Sequence, residues 1–371
     1  MMKCPKGHEF TRNHLNNTIQ PKDSVPVMPP PRSTRRSDQS RDHQRVKLPL
    51  VYILSTGRSG STLLDVLLGA QPECWTLGEF QLLDIGVGRQ MQCGCHHQLS
   101  QCDFWGPVVT RVRRILRFPL GYFRSGRYPC GKVVRWGFLP SIALGQPLPA
   151  HRLAAEAYAI SNLAAMDEAK HAAEQHQDKV TWLVDASKDP YRLLWLQTSG
   201  YFDIRVIHLI RRPEGFVSNM MRSANASGTV AVIKYAGRWV VDNVIGWAVL
   251  WRMFWPEAVK TVHYEALATN PEGVIGDICS WLDVPFEADR TQGTRHQVNH
   301  GIAGNRRRWE SLPVNFQETW RITMPSFHQK LIAVFTTPLW PFRHRAMASR
   351  TATKRKLPDR HRGQAPRLAS R

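Results

Sequence analysis

The stretch Val51-Tyr52-Ile53-Leu54-Ser55-Thr56-Gly57-Arg58-Ser59-Gly60-Ser61-Thr62-Leu63-Leu64 is an apolar run that breaks into a Gly/Ser/Thr turn with one cation and then resumes. It predicts a strand, an anion-binding loop and a helix start. Gly57 and Gly60 let backbone approach a ligand closely, Ser59, Ser61 and Thr62 offer hydroxyls, and the helix start aims unpaired N–H groups at the same point. A phosphate or a sulfate suits such a loop. The nucleotide-triphosphatase pattern G-x-x-x-x-G-K-[ST] does not fit, because these glycines are three apart and Arg58 stands as the only cation.

Apolar patterning extends this unit into an α/β fold. Leu48 to Leu54 is continuously apolar, as a strand buried on both faces must be, and Ser61 to Leu68 is the helix that follows it. Cys74 to Leu77 is a second short apolar segment. His151 to His176, rich in Ala, Leu, Met and Glu, reads as a long helix before a strand at Val180 to Val184. A further strand spans Ile204 to Ile210, with Pro213 just inside the next helix. Thr229 to Trp255 is largely helical, Val259 to Val262 is a short strand, and Glu272 to Leu282 is helical. Alternating strands and helices predict a doubly wound parallel sheet flanked by helices, with ligands at the carboxyl ends of the strands. Residues 85–150, rich in Gly, Pro, Arg and aromatics, are expected to be an irregular insertion over the active-site face.

Further motifs follow in order: Glu79 in Trp75-Thr76-Leu77-Gly78-Glu79, Asp185-Ala186-Ser187-Lys188, His208-Leu209-Ile210-Arg211-Arg212-Pro213, Val262-His263-Tyr264-Glu265-Ala266-Leu267 and Gly304-Asn305-Arg306-Arg307-Arg308. Together with the loop, this succession resembles the PAPS-dependent sulfotransferases, particularly the bacterial-type family related to carbohydrate sulfotransferases, over roughly residues 49 to 342. The resemblance implies a P-loop-type α/β fold and transfer of a sulfuryl group from PAPS to a hydroxyl of a carbohydrate, lipid or small alcohol, leaving PAP. It implies that Arg58, Ser59, Gly60, Ser61 and Thr62 hold the 5′-phosphosulfate, with Arg58 also a catalytic cation. Arg211 would take the 3′-phosphate together with Ser218 or Asn219, of which only one is expected to face it, since neighbours on a helix point about 100° apart. Arg308 would lie near a cofactor phosphate, Glu79 would be the general base, and Lys188 would sit beside the transferred group. Tyr264 and Glu265 are expected to be structural. His208 and His300 are expected to be satisfied polar groups, with His300 in reserve as a base. A small-molecule kinase of the P-loop class is the nearest alternative, but it needs a lysine that the loop lacks.

Cys93-Gly94-Cys95-His96-His97 with Cys102 invites a zinc reading, yet the C-x-C spacing lacks the usual two-residue gap. The expectation is a Cys-rich packing loop or a redox-sensitive cap, and no metal. Seven cysteines in a long chain argue against a disulfide framework and for the cytoplasm.

A formal charge of +21 raises the possibility of a nucleic-acid binder. Residues 1–48 hold ten Lys/Arg against four acids, and residues 343–371 hold ten against one, so the catalytic core carries only +6. The excess lies in Pro/Arg/Ser-rich tails that cannot bury enough apolar area to fold. Phe10 is their one aromatic residue, which gives bases nothing to stack on. No specific nucleic acid is expected, and the tails stay open to electrostatic contact with anionic polymers or surfaces. No apolar h-region follows the first basic residues, and the longest apolar stretch, Val240 to Trp255, is broken by Asp242, Asn243 and Arg252, so neither a signal peptide nor a membrane span is expected.

Overall fold

Leu48, Leu50, Tyr52 and Leu54 point to one side of a strand and Val51 and Ile53 to the other, and both sets are buried in the computed structural model. The structure describes residues 47–115, 135–291, 299–304, 309 and 318–337. The strand is β1 (Leu48–Ser55), at the centre of a five-stranded sheet with β2 (Glu73–Gly78), β3 (Val180–Asp185), β4 (Phe202–Ile210) and β5 (Val259–His263). The order is β2-β3-β1-β4-β5 and every pairing is parallel, with Leu50 opposite Leu183 and Leu48 opposite Phe202. The expected α/β architecture is therefore present. The chain leaves β1 for β2 on one side and later returns to build β4 and β5 on the other, so the end of β1 is the switch point where a doubly wound sheet opens a crevice.

The helices among the described residues are α1 (Ser61–Gly69), α2 (Leu83–Gly88), α3 (Trp105–Ile115), α4 (Leu139–Leu144), α5 (Arg152–Ala173), α6 (Pro190–Ser199), α7 (Pro213–Ser223), α8 (Gly228–Met253), α9 (Tyr264–Thr269), α10 (Pro271–Leu282), α11 (Trp320–Thr323) and α12 (Ser326–Thr336). Side chains of α1, α9 and α10 cover the Val51 face of the sheet. Those of α3, α5, α6 and α8 cover the Leu50 face. A third apolar cluster joins α7, α8 and α12 around Phe216, Val232 and Ile332. None of the described helices is long and apolar enough to cross a membrane.

Two departures from the sequence reading have local causes. Helix α6, absent from the expected elements, begins at Pro190 behind Asp189, whose carboxylate accepts from the N–H groups of Tyr191 and Arg192 at 2.9 and 3.2 Å; an Asp N-cap before Pro at the first helical position is a start signal present in the sequence. The segment expected to be irregular, 85–150, holds α3, α4 and the end of α2. Trp105, Val108 and Val112, spaced by three and four, bury one face of α3 in the core. Residues 1–46 and 338–371, covering the expected N-terminal tail to its last two residues and all of the C-terminal one, lie outside the described residues, as does Arg308.

Candidate active site

The loop after β1 turns on two residues of positive φ, Arg58 at 69° and Gly60 at 91°. A side chain on Gly60 would be strained by that φ, and its Cβ would lie 2.2 Å from the Tyr264 ring, so glycine is required twice over. Thr56 and Ser59 join their hydroxyls inside the loop, and Ser59 is buried. Ser59 therefore shapes the turn instead of lining the cavity. Gly60 caps α1, whose first turn carries no acid to oppose an anion.

Above the loop lies a cavity of ≈ 930 Å³, within the range of small-molecule and cofactor sites. Its walls include Gly57, Arg58, Gly60, Ser61 and Thr62 from the loop and α1, Glu79 after β2, Lys188 after β3, and Arg211, Ser218 and Asn219 from the end of β4 and α7. Residues expected together from the sequence thus meet in one place. Arg222 and Arg238 line it too, so among the described residues five cations face one carboxylate, Glu79. Such a wall fits a polyanion and repels cations.

Arg211 is held from three sides. Its Nη1 donates to the Arg58 carbonyl at 3.1 Å, its guanidinium lies 4.3 Å from the centre of the Tyr264 ring, and the Asn219 amide oxygen, in its satisfied orientation, accepts from both terminal nitrogens. Arg58 in turn donates to the Ser223 hydroxyl at 2.7 Å. Ser218 and Asn219 both line the cavity, and Asn219 is the one bonded to Arg211. Gly215, Ser218, Asn219 and Arg222 recur at three- and four-residue spacing, which makes one broad face of α7. That spacing could have exposed Arg222 in the sequence. Tyr264, expected to be structural, buttresses the loop and Arg211 as described. Glu265 accepts from the Arg212 N–H at 2.9 Å, which fixes the chain entering α7.

Glu79 and Lys188 form an ion pair of 2.7 Å at the cavity wall. They are neighbours because β2 and β3 are, with Gly78 opposite Asp185. Beneath them Asp185 accepts from the Ser187 N–H at 2.9 Å and from its hydroxyl, while Gln81 donates to the Ser187 carbonyl at 3.0 Å. These bonds hold the turn in which Lys188 has φ 67°.

His208 is buried and its pKa is lowered to about 4 by burial and by His263, so it is neutral at pH 7. His300, the reserve base, does not line the cavity; its Nδ1 faces Cys102 Sγ at 3.2 Å and Cys93 Sγ at 3.7 Å. A base role is therefore not available to it in this arrangement.

Asp65, on α1 beneath the site, is buried and accepts from the Thr76 hydroxyl; burial raises its pKa to about 7. An acid whose folded pKa exceeds its unfolded value binds its proton more tightly when folded, so it costs stability as pH rises from about 4 to about 7. Asp65→Asn keeps the acceptor for Thr76 and removes the titration. Relative to the parent, the variant should gain stability across that interval, approaching about 4 kcal/mol at about 1.4 per unit. Paired urea denaturation at pH 4.5 and 8 checks this, and a constant difference would show that Asp65 does not titrate there.

A parallel sheet with a glycine-shaped loop and a cation-lined cavity at its switch point is a P-loop-type α/β arrangement, and such a loop suits a phosphate or sulfate group. Residues 121–288 match the model of the sulfotransferase family. Over that span, a little under half of its length, the chain is similar to the sulfotransferases. The matched span begins beyond the β1 loop and Glu79, so the reading of those residues rests on the geometry above. Among solved structures, the chain is similar to the sulfotransferase domain of the curacin biosynthetic pathway, at 20% identity over 79% of this chain and 99% of that one, with a TM-score of 0.40. The sulfotransferase domain of the Synechococcus PCC 7002 olefin synthase shares 19% identity over 80% and 98%, with a TM-score of 0.42. Retinol dehydratase in complex with androsterone and PAP shares 12% over 83% and 82%, with a TM-score of 0.34. No curated protein matches the sequence.

Proposed function

We propose that the protein transfers a sulfuryl group from PAPS to a hydroxyl, and the observation that carries the reading is the cavity wall around the β1 loop, with five cations and one carboxylate among the described residues. PAPS, when bound, supplies an activated sulfuryl group on a phosphate leaving group. The fit is chemical: the loop amides, Arg58, Ser61 and Thr62 suit a 5′-phosphosulfate, and Arg211 with Asn219 and Ser218 suits a 3′-phosphate. Glu79 takes the proton of the acceptor hydroxyl as its oxygen forms the new bond to sulfur. Lys188 and Arg58 hold the charge left on the phosphate when the old sulfur–oxygen bond breaks. In-line displacement of this kind needs fixed donors and cations, which these residues are.

The acceptor side of this reading is a recess of ≈ 190 Å³ that adjoins the cavity through Gly57, Lys188 and Arg238. Its walls include neutral His208, an Arg135–Asp189 pair at 2.7 Å, an Arg238–Asp242 pair at 3.5 Å and Lys188, which is itself paired with Glu79, so each cation has a carboxylate beside it. An uncharged hydroxylated group suits it better than an anion. In this reading residues 49–342 form the sulfotransferase domain, with residues 1–48 and 343–371 as basic tails open to anionic polymers. None of the five described cysteines is in a disulfide, which suits a reducing compartment such as the cytoplasm.

Incubation with sulfur-labelled PAPS and fractionated glycans, lipids and metabolites tests the reaction. Label must pass to one fraction, and phosphate transfer from ATP instead would mean a kinase. The nucleotide site has a sharper test. Arg211→Ala should weaken PAP on the order of tenfold to a hundredfold, as expected for a lost charge-assisted bond, and adenosine 5′-phosphosulfate far less, since it has no 3′-phosphate. Equal losses by calorimetry would remove Arg211 from that role.

A further inference from the structure

Three cysteines and a histidine converge outside the cavity, and we infer that Cys93, Cys95, Cys102 and His300 bind a structural zinc ion. Their ligand atoms all lie within 4.8 Å of one another. Cys95 and Cys102 sulfurs are 3.5 Å apart, Cys102 and Cys93 sulfurs 3.7 Å, and His300 Nδ1 is 3.2 and 3.7 Å from Cys102 and Cys93. A tetrahedron with zinc–sulfur bonds of about 2.3 Å and a zinc–nitrogen bond of about 2.0 Å has edges of roughly 3.5–3.8 Å. Four of the six edges are thus close to the size that the ion demands. A disulfide, by contrast, needs sulfurs at about 2.05 Å and would leave one thiol and the imidazole unexplained.

The surrounding chain is built to hold this geometry. Cys93 and Cys95 sit on a tight turn closed by Cys93 N–H donating to the His97 carbonyl at 2.7 Å and His96 N–H to the Cys93 carbonyl at 3.1 Å. Gly94 between them has no room for a side chain, whose Cβ would lie 2.2 Å from the Asn299 carbonyl. That close approach brings the His300 segment onto the turn despite the 207 residues separating His300 from Cys93. The Trp105 N–H points at Cys102 Sγ at 3.4 Å, as backbone donors do around metal-bound thiolates, and the Trp105 indole N–H bonds the His300 carbonyl. The short C-x-C spacing no longer counts against a metal, because His300 supplies the distant ligand in place of His96 or His97.

The site is closed: Cys93, Cys102 and His300 are buried, and none of the four ligands lines the cavity. Closed Cys₃His sites are structural. What this one secures is Ile302, two residues past His300. Ile302 N–H donates to the Leu77 carbonyl at 3.0 Å, and Glu79 N–H donates to the Ile302 carbonyl at 2.7 Å. The ion would therefore clamp the backbone of Glu79 and of Gly304 at the cavity rim.

The test is elemental analysis of the full chain, expressed with zinc and purified without metal-affinity resin. About one zinc per chain is expected, falling well below one in Cys102→Ser and in His300→Ala and unchanged in Cys279→Ser. Removal of zinc by a chelator should lower the Tm, and refilling with Co²⁺ should give the sulfur-to-cobalt absorption and the strong visible bands of a tetrahedral thiolate site. If the substituted chains fail to fold, the cobalt spectrum of the parent decides. A parent chain that carries no zinc and gives no thiolate–cobalt absorption, or a His300→Ala chain that keeps a full zinc, overturns the inference.

Discussion

Glu79→Gln should bind PAP as the parent does, while kcat falls on the order of 10²- to 10⁴-fold, the loss expected for a missing general base. Glutamine keeps the size of the side chain and an oxygen that Lys188 Nζ, now 2.7 Å away, can still donate to. It removes only the capacity to take a proton. Because the proton moves in the transition state, the loss should fall on kcat with KM for the nucleotide nearly constant. A second variant separates chemistry from support: Lys188→Met should also lower kcat, and the double variant should lose much less than the product of the single losses, since the two groups act as a unit. A Glu79→Gln enzyme with near-normal kcat at saturating acceptor would take the role away from Glu79. His300 could not inherit it, because its Nδ1 faces sulfur and it lies off the cavity.

The residues show why some of this was legible in the sequence and some was not. Leu48 to Leu54 reads as a doubly buried strand because its apolar run has no polar face to give to water, and the glycines and hydroxyls after it can only be a turn at the strand's carboxyl end. Those are local properties, and they hold. The meeting of Glu79 with Lys188 depends instead on β2 lying beside β3, a strand order that no window of sequence contains. His300 joins three cysteines about two hundred residues away for the same reason: Ile302 pairs with Gly78 and with Cys93, and only the folded sheet edge brings them together. Arg238 on α8 reaches the cavity because α8 packs on α7 around Phe216 and Val232, again a tertiary fact. Arg222 differs, since its four-residue spacing from Ser218 is a local property of the sequence.

Arg192→Met should destabilise the fold by about 3–5 kcal/mol, the cost of stripping one partner from a buried ion pair. Arg192 is fully buried, with Nε and Nη2 on the Asp185 carboxylate at 3.1 and 2.7 Å and Nη1 on the Tyr158 hydroxyl and on Asn162 Oδ1, the latter at 2.7 Å. Methionine fills similar volume but leaves the Asp185 charge in a dry core, where the Ser187 N–H and hydroxyl are its remaining donors. At roughly 2–4 °C per kcal/mol for a chain of this size, Tm should fall on the order of 10 °C. Replacing both partners with apolar residues should recover much of the stability, since a buried pair is worth little net of its desolvation. It should not recover turnover, because Asp185 also holds Ser187, and Ser187 holds the turn that aims Lys188 at Glu79. Denaturation midpoints and kcat measured on the same two variants check both halves. A single variant within 1 kcal/mol of the parent would mean that water reaches Asp185, and a double variant with full kcat would mean that Lys188 is positioned without it.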